Sequence, residues 1–425
     1  MQRAEDLEES LNVTEKTKST SNPLLAGIRV LDLSRLLPGP FCTLYLAQMG
    51  AEIIKIEEPQ GGDYARGMGE MFNLVNRGKK SVTLDLRTAE DREHFFQLVD
   101  TADVVLESFR PGVMDKLGCG YEVLRARNPK LVYAALTGYG QTGPYKDWAG
   151  HDMNYLALSG VLDQIGTAGG PPAQSNLQIA DLAGGALTCT VGILAAVIGA
   201  RASGQGTFVD SSMMDGALAM QPIALATLRQ EGAVPRRGTG MLTGALPNYN
   251  LYRCRDGKYL AVGALEPKFF MKLLTVLGDE LPAPLRALLP GRKKEQGSEG
   301  GKTRSANNDP FGKLDKLFGD PKRARKVTAP IRLALAGLFL TRTRDSWAAL
   351  LQDRDACVTP ILNLQEVLQN EQVHARGMIE DDGGKPSFAL PLLFSGQRPK
   401  VGPAPKLGAD TEEVLARLTP KKRRA

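Results

Sequence analysis

The chain has 425 residues, of which 42% are hydrophobic and 24% charged. That exceeds one core of roughly 150 residues, fits two or three packed units, and excludes disordered, collagen-like and disulfide-scaffold classes. The net charge of +6 raises nucleic-acid or membrane binding, but residues 291–326 carry eleven Lys/Arg against five Asp/Glu and Lys421 to Arg424 add four cations, leaving a body of net −4. The positive charge is peripheral.

Residues 1–22 are acidic and polar with no apolar signal core, so a disordered leader is expected there. A βα pattern starts at Gly27. Strands are expected at 28–34, 51–59, 81–86, 102–109 and 130–140, with helices between them, one after the Pro-Gly-Pro turn at 38–40 and another over TAEDREHFFQLVDTA. Such alternation predicts a parallel, doubly wound α/β sheet. No βα turn carries G-x-G-x-x-G or a Walker A motif, which leaves a plain NAD or ATP reading without support. Leu182 to Ala200 is nineteen residues without a charge, but its four glycines and five alanines favour a buried core helix over a membrane span. Gly185, Gly192 and Gly199 recur along one of its faces and predict close backbone approach there.

A large domain is expected over 23–220, a connector over 221–248 and a second domain over 249–364. Within the latter, 284–326 reads as an inserted basic surface loop. Residues 365–418 return to the large domain and 419–425 are a basic tail. In that return, 365–378 has a helical pattern, and Asp410 followed by Glu413 predicts a capped helix start.

The five cysteines, 42, 119, 189, 254 and 357, make no CxxC pair and read as reduced thiols, with Cys42 and Cys189 in the core. Of three histidines, His94 and His374 lie on charged helix faces. His151 opens a helix after a glycine-rich loop, where a cleft-facing general base and a capping or core histidine are both open. Asp181 heads the charge-free helix, as an ordinary N-cap or as a buried nucleophile or proton donor. Glu266 stands between an apolar strand and a proline, as a helix-start residue or a functional acid.

The strings SRLLPGPFCTLYLAQMGAEIIKIEEPQGGDYAR, NRGKKSVTLDLR, ESFRPGVMDKLGCGYEVLRARNPKLVYAALTGYGQTGPY, GHDMNYLALSG, NLQIADLAGG, VGALEPKFF and DACVTPILNLQEV follow one another as in the family III coenzyme A transferases. The resemblance covers about residues 25–415, and GHDMNYLALSG is similar to the α-methylacyl-CoA racemase branch. It implies a large Rossmann-like domain formed by both chain ends, a small α+β domain and an interlocked homodimer. It makes His151 and Asp181 a pair of catalytic bases, with Glu266 of the partner subunit completing the site. The implied reaction is racemisation of 2-methylacyl-CoA thioesters by two-base 1,1-proton transfer through an enolate, whose oxygen the amides at the head of the Asp181 helix are expected to bind.

The same resemblance places CoA on the loops after the second to fourth strands, with Thr83, Leu84, Asp85, Glu107, Ser108, Phe109, Arg110 and Lys116 as candidates. Gly150, Asp152, Asn154 and Tyr155 would flank the acyl group, and Phe41, Met153 and Leu156 would line its channel. No metal or cofactor is called for, CoA being part of the substrate. Partners expected are the acyl-CoA and a second copy of the chain, with no nucleic acid and no membrane span. The rival activity is CoA transfer through an Asp181 acyl anhydride, and a rival of another class is a binding protein using the basic insert and tail.

Three departures stand out. The second strand ends Glu57-Glu58-Pro59 where racemases tend to show Asp-Arg-Pro, so a CoA-contacting arginine is missing there. The insert is long for the family. KKRRA is not the peroxisomal signal that animal racemases resemble, so for a protein expected to be soluble and intracellular the compartment stays open between cytoplasm, mitochondrion and peroxisome.

Overall fold

The computed structural model describes residues 24–280 and 321–418, which divide into two compact units. One comprises the chain up to Leu162 together with Ser175–Pro222 and the segment from Glu371 onward; the other comprises Asp163–Gln174 and Ile223–Asn370.

The first unit is built on a six-stranded sheet: β1 (Arg29–Asp32), β2 (Glu52–Glu57), β3 (Lys80–Thr83), β4 (Val104–Glu107), β5 (Val132–Thr137) and β6 (Phe208–Ser212). All neighbours are parallel and the order is β3-β2-β1-β4-β5-β6. This is the doubly wound arrangement expected from the alternating pattern, with its switch point between β1 and β4.

Both faces are covered, so alternate residues of one strand enter different cores. Val30, Val104 and Leu106 pack with Cys42 and Leu46 of α1 (Pro38–Gln48) on one face. Leu31, Val105 and Tyr133 pack on the other with Phe95 and Leu98 of α2 (Ala89–Val99), whose N-cap Thr88 accepts from the Asp91 amide.

The charge-free stretch forms a π-helical segment, Ala180–Leu187, running into α3 (Thr188–Ser203). By length and apolarity Ala180–Ser203 is the one run among the described residues able to cross a membrane. Here Cys189, Ile193 and Val197 are instead packed into the sheet's core, as expected for a core helix. The glycine seam differs from the expectation. Gly199 has nothing within 4 Å, whereas at Gly184 the chain touches α4 (Met213–Ala219) backbone to backbone: a Cβ on Gly216 would lie 1.9 Å from the Gly184 carbonyl oxygen.

The returning chain end meets β3. Asp410 does not cap the helix Thr411–Ala416 with its side chain; its Oδ2 accepts the Ser81 amide at 2.8 Å and its own amide donates to the Ser81 carbonyl. An edge-strand amide is a stronger claimant on that carboxylate than a solvated helix end. The pattern at 365–378 resolves into two short helices, Leu364–Val367 and Glu371–Ala375.

The second unit holds a three-stranded antiparallel sheet, β7 (Tyr249–Arg253), β8 (Tyr259–Gly263) and β9 (Val358–Pro360). Its core joins Tyr252, Leu260 and Leu273 to Phe339 and Trp347. Residues 163–174, expected in the large domain, fall with this unit, where Arg237 bonds the carbonyls of Asp163 and Gly170. The connector contains a helix, Pro222–Glu231, and the chain leaves this unit after Asn370. Of the insert 284–326, residues 284–320 lie outside the described residues; from Pro321 the chain is the start of a helix, Pro321–Phe339, and not loop. The tail from 419 also lies outside them, as does the leader.

Candidate active site

In a doubly wound sheet ligands sit beyond the carboxyl ends of the strands. His151 lies in the loop after β5, as the residue before α5 (Asp152–Leu158), and Asp181 lies at the head of the helix leading back to β6. Both are therefore delivered to that edge.

One side chain ties them together. Asp152, next to His151 in the chain, accepts the amides of Ala180 at 2.7 Å and Asp181 at 3.0 Å on Oδ1. The helix start is thus capped from a different element, and its first free N–H groups are consumed. This corrects the expected enolate-binding role of those amides: they are already bonded to Asp152.

Burial, and after it the Asp152 charge, pushes the Asp181 carboxyl up from 3.8 to about 7. Helix-end stabilisation of its anion is weak here because Asp152 already occupies the positive end. His151 is exposed, and its amide donates to Asn154 Oδ1 at 3.0 Å, which fixes the turn that presents the imidazole. Tyr155 is buried, its hydroxyl donates to the Gly150 carbonyl at 2.5 Å, and its ring packs edge-on against Tyr139. Burial, then the Asp181 charge, pushes its phenol well above the ordinary range, so it stays a neutral donor. Arg110 also acts on Tyr155, which brings the loop after β4 into electrostatic reach of the pair.

The CoA candidates separate into several kinds. Phe109 and Ser108 form the rim after β4, where Ser108 Oγ accepts the Arg35 amide at 3.1 Å. Glu107 is buried; burial pushes its carboxyl up to about 8 and it accepts the Phe109 amide at 2.6 Å, so at neutral pH it shapes the turn as a largely uncharged group. Arg110 and Lys116 are exposed and form no ion pair among the described residues. Thr83 bonds Thr411 and borders an open cleft with Pro59, Leu407 and Gly408. Leu84 is buried, and Asp85 is engaged by Arg87 at 2.7 Å. Met153 is exposed, while Leu156 is core. Glu266 belongs to the second unit, exposed after β8, where its carbonyl accepts the amides of Phe269 and Phe270. A cavity of 240 Å³ at the opposite edge of the sheet is lined by Arg29, Glu52 and Lys80, which pair with one another.

Sequence reasoning passed over the loop after β1. Beneath it lie four buried charges: Lys79 on Asp32 at 3.1 Å and Lys55 on Asp63 at 2.9 Å, each side chain without exposure. Burial raises the Asp32 carboxyl, but Lys79, Lys55 and the hydroxyls of Ser34 and Thr43 outweigh it and hold it well below the usual range. Burial lowers Lys79 to about 8. Asp63 Oδ1 also accepts the Leu36 amide at 2.8 Å, at a residue held left-handed with φ 65°. A non-glycine in that conformation persists only where its surroundings over-determine it.

The chain belongs to CoA-transferase family III, whose family model matches residues 25–411. It is 36% identical over 398 residues to the alpha-methylacyl-CoA racemase of Homo sapiens, covering 92% of each chain. It is 32% identical to the succinate–glutarate CoA-transferase of Agrobacterium fabrum, covering 93% of this chain and 96% of the other. Among solved structures, a CaiB/BaiF family protein from Brucella suis superposes with a TM-score of 0.75 at 30% identity, over 94% of this chain and 100% of that one.

Proposed function

We propose that the protein racemises 2-methylacyl-CoA thioesters, with His151 and Asp181 as the two bases. One observation carries this reading: the Asp152 carboxylate, one residue from the imidazole, is bonded to the amide of the very residue whose carboxyl titrates near 7. Inverting a carbon next to a thioester needs a proton removed on one face and delivered on the other. A carboxyl divided between its two forms at neutral pH serves as acid for one epimer and base for the other, with the imidazole opposite it.

The enolate oxygen needs a donor. With the amides of Ala180 and Asp181 committed, the amide of Asp152, first in α5 and without an intrahelical acceptor, takes that role in this reading.

The second reading is CoA transfer, in which the Asp181 carboxylate attacks the thioester carbonyl, a mixed anhydride forms and CoA thiolate leaves. The transferase relatives favour it. Incubation with a 2-methylacyl-CoA in deuterated water separates the two. Racemisation predicts deuterium at the α-carbon, both epimers, and no inactivation by hydroxylamine. Hydroxamate formed on Asp181 during turnover, without α-exchange, overturns it.

We also infer a homodimer. Leu187, Val191 and Ile198 form an apolar stripe on the helix from Ala180 to Ser203, with Val191 67% and Ile198 71% exposed. A stripe of this kind on a charge-free helix is costly in water. Light scattering should give twice 45.8 kDa, and Val191→Lys with Ile198→Lys should shift the mass toward one chain. A monomeric wild type would refute this.

A further inference from the structure

We propose that Asp152 is a positioning residue, which locks the helix bearing Asp181 to the loop bearing His151 and places its own negative charge beside the Asp181 carboxyl; its part in the reaction rests on the two-base reading above. Asp152 stands first in α5, directly after His151, so a hold on its side chain is also a hold on the backbone that presents the imidazole. Its Oδ1 accepts two consecutive amides, those of Ala180 and Asp181, and the next, of Leu182, donates to the Gln178 carbonyl at 2.9 Å. The turn they open is π-helical, a rare conformation that occurs mostly at functional sites. Its other side is pinned as well: a Cβ on Gly184 would stand 2.8 Å from both the Ala217 amide nitrogen and the Met213 carbonyl oxygen of α4. Between these two holds the turn has little room to unwind.

The charge has few competitors. Of the elements packed against this turn, α1 and β5 carry no charged residue. The charge of Asp215 on α4 acts on Asp210 of β6, and Arg201 lies in the last turn of α3. Tyr155 of α5 stays neutral, with Arg110 acting on it. Asp152 is the charged group that acts on Asp181, and it adds to burial in keeping that carboxyl protonated up to about 7. A carboxyl of ordinary acidity would be ionised at neutral pH and could give no proton to an enolate.

The test compares Asp152→Asn with Asp152→Ala in the full-length protein. Asparagine keeps an acceptor for both amides and loses only the charge; alanine loses both. Carboxyl-carbon NMR of aspartate-labelled protein, with Asp181→Asn identifying the signal, should show Asp181 titrating about one pH unit lower in Asp152→Asn than in wild type. The limb of the turnover profile that reports Asp181 should move with it. At its own optimum Asp152→Ala should turn over about tenfold more slowly than Asp152→Asn, with KM alike in the two, because the amides have lost the acceptor that sets the turn. Should Asp152→Ala not fold, Asp152→Ser replaces it with the same expectation, since its hydroxyl takes one amide in place of two. An unchanged Asp181 titration in Asp152→Asn overturns the role of the charge, and equal rates in the two variants overturn the lock. A wild type that exchanges no α-proton of a 2-methylacyl-CoA overturns the two-base reading, a separate failure, because the titration needs no substrate.

Discussion

Asp181→Asn should abolish turnover and at the same time make the protein more stable. Loss of a proton-transferring group costs about 10²–10⁴ in rate, and the amide can neither carry the proton nor attack a thioester. The stability gain follows from burial. In the folded chain the carboxyl keeps its proton up to about pH 7, whereas its unperturbed value is 3.8. Between those values the folded state binds more proton than the unfolded state, so wild-type stability falls as pH rises and is lowest, and level, above 7. Asparagine removes that penalty. At pH 8 the variant should gain about 2–4 kcal/mol, the lower end allowing for partial exposure, and melt several degrees higher. Below pH 4 the difference should vanish. Melting curves at pH 3.5, 5 and 8 check this; equal melting temperatures at pH 8 would show that Asp181 carries no buried proton.

His151→Ala should separate the two bases. Racemisation should fall about 10³-fold, yet the epimer whose α-hydrogen faces Asp181 should still exchange it with deuterated water, because that base and its holder Asp152 remain. Proton NMR of each epimer reads this directly. Exchange with neither epimer would refute independent bases, and undiminished racemisation would remove His151 from the mechanism. Under the transfer reading the same variant keeps CoA transfer, since Asp181 is the nucleophile there.

The sheet was legible because its strands are short apolar runs between helices of ordinary length, and burial on both faces demands such runs. His151 and Asp181 were singled out as a pair only through the family strings surrounding them, since each by itself also reads as an ordinary helix start. Asp152 was expected beside the acyl group, and the sequence did not show it as the clamp on amides 28 and 29 positions further on. That bond needs the π-helical start at Ala180, and nothing in IADLAGGAL distinguishes a π turn from an α turn. Asp410 misled for a similar reason: its local pattern spelled a cap, while a strand 329 residues away claimed the carboxylate. The contacts of Arg35 with Tyr64 and Phe109 were invisible because they depend on loops after three different strands meeting.

The four buried charges below the Arg35 loop are two cations and two anions, so the floor of the crevice is electrically neutral although it is densely ionic. A floor of that kind projects little field into solvent. Encounter with an anionic ligand then owes little to long-range attraction, and ionic strength acts mainly on the few cations that touch it. The body's net −4 is compatible with a polyanionic substrate on these terms, because selection happens at contact.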